Sequence, residues 1–224
     1  MKIVCISDTH NRHRELDMPE GDILIHAGDF THNGSRAEVQ DFLNWLDNLE
    51  VRYSYIFVVP GNHDTYLAGK SKGNVDWFWE QAGATLLIDQ AGVVGTNGQN
   101  IYGSPYTPLW GNSATFMKKR CRLNKTWAKI PEYTDLLITH GPPKGILDTV
   151  ERGETVGCKS LYNHVLRVKP KLHVFGHVHD NSDGRPCRCL NNGVFEREGI
   201  KFVNASVVRH GSSERINQPI VVEL

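Results

Sequence analysis

Along the chain, short runs of apolar and mostly β-branched residues end, one after another, in glycine and polar side chains. The runs at residues 2–7, 22–26, 53–59, 134–138, 172–175 and 200–203 are predominantly apolar rather than alternating, the pattern of strands buried on both faces. A last strand is predicted at 220–223. Shorter ones at 84–88, 92–94 and 99–102, joined by glycine-containing turns, point to an antiparallel or mixed region. Helical spacing enters between them: Ser35 and Glu38 form a capping box that opens a helix to about residue 48, with Val39, Phe42, Leu43 and Leu46 on one stripe. Further helices are expected at about 75–81, where Trp77 and Phe78 are packing residues, and at about 160–168. Residues 113–129 are basic and poorly periodic. The stretch at 105–111 is a loop rich in aromatics and proline, either a pocket wall or a packed surface loop, and the stretch after His179 reads as a polar loop. The 224 residues suit a single domain, residues 1–224.

Polar chemistry gathers where the apolar runs stop. The first run delivers Asp8 and His10, which, two apart in an extended chain, project to one face at roughly 7 Å between Cα atoms. The second leads through Gly28 to Asp29. The third meets Pro60-Gly61, which cannot continue a strand, and turns into Asn62, His63 and Asp64. The fourth ends at His140, and the fifth passes Gly176 to reach His177 and His179. Strands that run broadly the same way converge at their carboxyl ends, where sites of open α/β sheets lie. The other histidines His13, His164, His173 and His210 are read as packing residues.

With His63 reserved for proton transfer, the donors are Asp8, His10, Asp29, Asn62, His140, His177 and His179. They are too many for one tetrahedral ion. Nitrogen and oxygen without thiolate suit manganese, iron, zinc or nickel better than calcium or copper(I). Two divalent ions sharing one carboxylate fit the set and leave about two positive charges to attract a phosphate anion. Composition adds exclusions. Cationic and anionic residues number 25 each, so no basic surplus indicates nucleic acid, and an anionic substrate must be held by ions or backbone. The first residues lack the apolar run and cleavage site of a signal peptide, and no run reaches membrane-spanning length, so a cytoplasmic protein without a membrane partner is expected. Five scattered cysteines suit reduced thiols, with Cys187 and Cys189 read as part of a surface loop rather than a metal pair.

The succession Asp8-x-His10, Gly28-Asp29, Gly61-Asn62-His63-Asp64, Thr139-His140-Gly141 and Gly176-His177-Val178-His179 resembles the signature of the calcineurin-like metallophosphoesterase superfamily, across residues 3–206. Within it, Gly28-Asp29-Phe30-Thr31, Ile101-Tyr102-Gly103-Ser104-Pro105, His140-Gly141-Pro142-Pro143 and Phe202-Val203-Asn204-Ala205-Ser206 are similar to the metallophosphoesterase-domain-containing group related to fetal brain protein 239. The resemblance implies an α/β fold, a four-layer α-β-β-α sandwich of two mixed sheets. It implies that Asp8, His10 and His179 hold one ion, that Asn62, His140 and His177 hold the other, and that Asp29 bridges them. The cofactors implied are two divalent transition-metal ions, Mn²⁺ first, with Fe, Zn, Ni or Mg as alternatives. A hydroxide between them would attack phosphorus in line without a phosphoenzyme, while His63 bonds the phosphate and protonates the leaving oxygen. No serine or cysteine stands in a nucleophile setting, which agrees.

Where protein phosphatases of the superfamily carry an Asp-Arg pair, this chain has His32 and Asn33. Without a bidentate arginine a doubly charged monoester loses its clamp, so the expected substrate is a small phosphodiester or nucleotide, cyclic nucleotides included. The alternatives are a phosphomonoesterase and a non-catalytic, metal-binding scaffold for protein interaction. His26, His32, Asp64 and Asn204 stand beside the motifs and are expected to support the donors or face the substrate.

Overall fold

The computed structural model describes residues 1–49, 52–68, 79–95, 98–111, 115–181, 190–210 and 215–224. In chain order the first elements are β1 (Lys2–Ile6), β2 (Ile23–His26), α1 (Arg36–Asp47), β3 (Tyr55–Val58), β4 (Ala84–Leu86), β5 (Gln90–Val94) and β6 (Gln99–Ser104). There follow β7 (Thr107–Pro108), β8 (Met117–Lys118), α2 (Arg120–Trp127), β9 (Leu136–Thr139), α3 (Lys159–Val168) and β10 (Leu172–Phe175). The last are β11 (Asp180–Asn181), β12 (Gly193–Arg197), β13 (Ile200–Asn204), β14 (Arg209–His210) and β15 (Ile220–Glu223).

One sheet has the order β15-β1-β2-β3-β4, with β1 to β4 parallel and β15 antiparallel at its edge. The other has the order β12-β13-β10-β9-β6-β5, parallel in its middle and antiparallel at both edges. The two-residue period of a strand decides what each sheet buries. Ile3, Cys5, Ile23, Ile25 and Phe57 meet Ile101, Leu136, Ile138, Leu172, Val174 and Val203 of the second sheet in a shared central core. The intervening Val4, Ile6, Leu24, Ile56 and Val58 face the other way, onto Phe42, Leu43 and Leu46 of α1. On the far side, Leu137, Phe175 and Phe202 pack against Leu123 and Trp127 of α2 and Leu161 and Val165 of α3. Four layers, α-β-β-α, result. Each fully buried Leu, Ile or Phe contributes about 1.5–3 kcal/mol, which is why both faces of both sheets are covered.

The capping box forms as expected: Ser35 accepts from the Glu38 amide, and Glu38 from that of Ser35. Two expectations need correction. The basic segment contains α2, whose only buried residues, Leu123, Thr126 and Trp127, recur at helical spacing but are too few to stand out among the cations. The polar loop after His179 contains β12, an edge strand on β13 with Val194 and Phe195 exposed, so pairing rather than local pattern orders it. The 84–102 region is mixed, as expected: β4 lies parallel to β3, β5 and β6 are antiparallel, and the chain changes sheets between β4 and β5. Trp77, Phe78, Cys187 and Cys189 lie outside the described residues; Trp79 is buried beside Phe30. Cys5 and Cys158 are buried free thiols. No helix among the described residues is long and apolar enough to cross a membrane.

His13 is buried against Phe42 and Trp45, while His164 joins α3 to α2 through Asn124. His173 gives a pH prediction. It is fully buried between Phe175 and Phe202, its Nε2 2.8 Å from Thr139 Oγ1, and burial pushes its pKa down to about 3. The fold keeps it neutral while the unfolded chain binds a proton near pH 6.5. Its contribution is therefore intact above about pH 6.5 and lost as pH falls towards 3, at up to about 1.4 kcal/mol per pH unit. His173→Gln is expected to flatten the pH dependence of the urea midpoint between about pH 6 and 4 by that amount; an unchanged slope would show that the ring already titrates normally.

Candidate metal centre

The carboxyl ends of β1, β2 and β3 in one sheet and of β9, β10 and β13 in the other meet at one edge of the sandwich. Ser7 bridges to Ser206, and the Val207 amide donates to the Ser7 carbonyl at 2.8 Å. Beyond these ends the chain turns sharply, and Asp8, His10, Asp29 and His177 all hold left-handed backbone, φ between 42° and 68°. Such conformations cost on the order of 1–3 kcal/mol each and persist where the surroundings impose them. Here the Asp8 amide is fixed by the Gly28 carbonyl at 2.8 Å and the His10 amide by that of Asp29 at 3.1 Å.

The donors fall into overlapping groups whose ligand atoms lie within 4.8 Å of one another: Asp8, His10 and His179; Asp29, His140 and His177; and His10, Asp29 and His63. Asn62 Oδ1 adds to the second group, 3.0 Å from His140 Nε2. Four of the donors are held from behind. Asp8 Oδ2 accepts from the His177 amide and Ser206 Oγ, both at 2.9 Å, leaving Oδ1 beside His179 Nε2 at 3.1 Å. His140 Nδ1 donates to the Ala27 carbonyl at 3.0 Å, and His10 Nδ1 to that of Thr31 at 3.1 Å, so in the neutral form of either ring Nε2 carries the lone pair. Asp29 Oδ1 accepts from the His63 amide at 2.7 Å, and its Oδ2 lies 3.3 Å from His140.

The electrostatics call for cations. Asp8 and Asp29 are buried, and among the described residues their ion-pair partners are histidines, not lysine or arginine. Burial works against both charges, yet His179 holds Asp8 well below the usual range and His140 holds Asp29 down to about 2. Burial likewise opposes a charged His140, but Asp29 pushes it up to about 9. Burial pushes His10 down to about 4 and His177 to about 3, keeping both neutral and able to coordinate. Two buried carboxylates, an amide oxygen and four imidazoles, two of them with Nδ1 on a backbone carbonyl, fit divalent transition ions.

Glycines let the strand ends approach. A Cβ on Gly61 would lie 2.2 Å from Asp29 Oδ1, and one on Gly176 would lie 2.0 Å from Asp8 Oδ2 and 2.2 Å from Ser7 Oγ. Gly176→Ala is expected to displace Asp8 and weaken metal binding about 10–100-fold, measured by chelator competition; unchanged affinity would remove Asp8 from the donor set.

His63 lies beside His10, ring centroids 4.8 Å apart, and faces a cleft. Its Nδ1 donates to the His32 carbonyl at 2.8 Å, and its ring borders an open cleft of about 300 Å³ with His32, Asn33, Asn62, Trp110 and Met117. The 105–111 loop thus contributes to a pocket wall. Of the residues expected to support donors or face substrate, His32 reaches this cleft. His26, Asp64 and Asn204 are completely buried and bind the protein's own groups. The Gly28 amide donates to His26 Nδ1, so Nε2 carries the hydrogen and donates to Thr9 Oγ1 at 3.0 Å. Asn204 binds the Leu147 and Val178 carbonyls and the Ser206 amide. Asp64 accepts from the amides of Gly61, Asp29 and Thr31 and from Thr31 Oγ1, all within 3.0 Å. Burial and the charge of Asp29 nonetheless push its pKa up to about 7. Ser206 and Thr31 stand within quoted motifs, but no role is expected for either from sequence; the structure places Ser206 Oγ on Asp8 and Thr31 Oγ1 on Asp64.

Metal donors of this kind, gathered at one edge of an α-β-β-α sandwich, define a metallophosphoesterase. The chain belongs to the calcineurin-like phosphoesterase family, whose model matches residues 1–181. It is 37% identical to human metallophosphoesterase domain-containing protein 1, over 100% of this chain and 71% of that protein. It is 31% identical to the probable glycerophosphodiester phosphodiesterase GpdQ of Arcobacter nitrofigilis, over 72% of this chain and 58% of that one. The crystal structure of TT1561 of Thermus thermophilus shares the fold, with a TM-score of 0.60 at 12% identity over 91% of this chain and 88% of that one.

Proposed function

We propose that the protein is a dinuclear, metal-dependent phosphodiesterase. Asp8, His10 and His179 would hold one ion, and Asn62, His140 and His177 the other, with Asp29 shared; Mn²⁺ is the first candidate. Bound there, the ions would polarise the phosphoryl oxygens and lower the pKa of a water. The chain's own part is positioning and proton transfer. Asn62 and His63 border the cleft, where the ester's phosphoryl group would sit. His63, oriented by the His32 carbonyl, presents Nε2 to it and, in its doubly protonated form, bonds a phosphoryl oxygen and gives the Nε2 proton to the leaving alkoxide as the P–O bond breaks.

The observation that carries the diester reading is the cleft wall. His32 and Asn33 stand on it, and no lysine or arginine is among its described lining residues. A dianionic monoester would find no fixed cation there beyond the ions, while a monoanionic diester needs none. The relative named as a probable glycerophosphodiester phosphodiesterase supports the same reading. The test compares bis(4-nitrophenyl) phosphate with 4-nitrophenyl phosphate at equal concentration, using Mn²⁺-reconstituted protein. A higher kcat/KM for the diester, abolished by chelation and restored by Mn²⁺, is expected. The reverse order would make it a monoesterase, and bound ions without turnover of either would make it a scaffold.

A further inference from the structure

We infer that the substrate is a single-stranded oligonucleotide, with a base stacked on Trp110 and flanking phosphates held by Lys119 and Arg122. The inference rests on the diesterase reading and names its substrate class. Trp110 borders the cleft together with Asn62 and His63, yet it is 78% exposed, the most exposed large apolar side chain among the described residues. A bare indole at the mouth of a reaction cleft is a ready stacking surface, and any base offers a π-face to it.

Its neighbours are cationic. In the parallel ribbon of β7 and β8, Thr107 pairs with Met117 and Pro108 with Lys118, and the Leu109 amide donates to the Lys118 carbonyl at 2.9 Å. Continued by one residue, this register sets Leu109 beside Lys119, and Trp110 follows Leu109 in the chain. Lys119 is the N-cap of α2, which carries Arg122 and Lys125 onwards on its exposed surface. Residues 115–131 contain Lys118, Lys119, Arg120, Arg122, Lys125 and Lys129 and no acidic residue, in a chain of zero formal charge. Three of the six are engaged. Lys118 lies over the Tyr106 ring, Arg120 donates to the Val156 and Gly157 carbonyls, and Lys129 pairs with Asp89.

Lys119 and Arg122 are exposed, and among the described residues they make no ion pair. This arrangement selects among diesters. A cyclic mononucleotide spends its one phosphate at the ions and leaves the cationic surface without a partner. A glycerol diester leaves the indole bare as well. An oligonucleotide supplies both a base and further phosphates, and a single strand offers the unstacked base that the indole requires.

The test uses Mn²⁺-loaded protein and three substrates: methyl 4-nitrophenyl phosphate, the dinucleotide dTpdT, and a ten-residue oligothymidylate. Trp110→Ala is expected to lower kcat/KM for dTpdT, relative to that for the methyl ester, by about 5- to 150-fold. Trp110→Phe should restore most of the ratio. Lys119→Ala with Arg122→Ala is expected to lower the decamer relative to dTpdT and to make the decamer's log–log salt slope shallower by about 1.4, roughly 0.7 per lost phosphate contact. Ratios and slope unchanged in these variants would overturn the inference, while turnover of the methyl ester would leave the diesterase reading standing. No turnover of any of the three would remove both.

Discussion

Replacing His63 with asparagine is expected to lower kcat for a diester with a poor, alkoxide leaving group by about 10²–10⁴-fold, with the metal content of the protein unchanged. The substitution is selective because of how the residue is held. Its backbone amide donates to Asp29 Oδ1 at 2.7 Å, and that bond survives a change of side chain. What is lost is the imidazole fixed through Nδ1 on the His32 carbonyl, with Nε2 left to carry a proton. Because a nitrophenolate departs without a proton, the loss should be much smaller for an activated aryl diester. Equal losses for both leaving groups would remove the general-acid role. A fall in bound metal would instead make His63 a ligand, which its place within 4.8 Å of the His10 and Asp29 donor atoms makes worth measuring.

The largest loss of stability is expected from Asp64→Ala. The carboxylate gathers three backbone amides and a hydroxyl from two strand-end turns, 29–31 and 61–64, in the fully buried interior. Removing it strands donors that water cannot reach, at about 1–3 kcal/mol each, so a total of at least about 3 kcal/mol is expected from urea unfolding. Asp64→Asn keeps one acceptor oxygen and should fall between. Since these amides belong to the turns that carry Asp29, Asn62 and His63, metal affinity should fall with stability. A cost under about 1 kcal/mol would show that the turns hold themselves.

The contrast between His63 and Asp64, adjacent in sequence, shows what could be read from the chain. Asp8, Asp29, His140 and His177 were legible because each follows an apolar strand, where packing gives a polar side chain nothing to do. The apolar runs predict the strands and the edge on which those residues meet, whereas the two sheets and four layers are implied only by the resemblance that the motifs carry. Asp64, His26 and Asn204 stand in the same motifs but turn inward to bind backbone. That distinction depends on partners as much as 57 residues away, between Asn204 and Leu147, and leaves no local trace. Ser206, which reaches Asp8 across 198 residues, is the same case. In α2, three buried side chains were too sparse a stripe, and β12 is ordered by pairing with β13 while much of it faces solvent.

The central claim is that seven side chains from both sheets assemble a pair of cation sites. Elemental analysis of Mn²⁺-reconstituted protein, run beside Asp29→Asn, measures it most directly. Two ions per chain in the unaltered protein and fewer in the variant are expected, because Asp29 is the carboxylate placed beside both donor groups. One ion or none in the unaltered protein, or two retained by the variant, would contradict it.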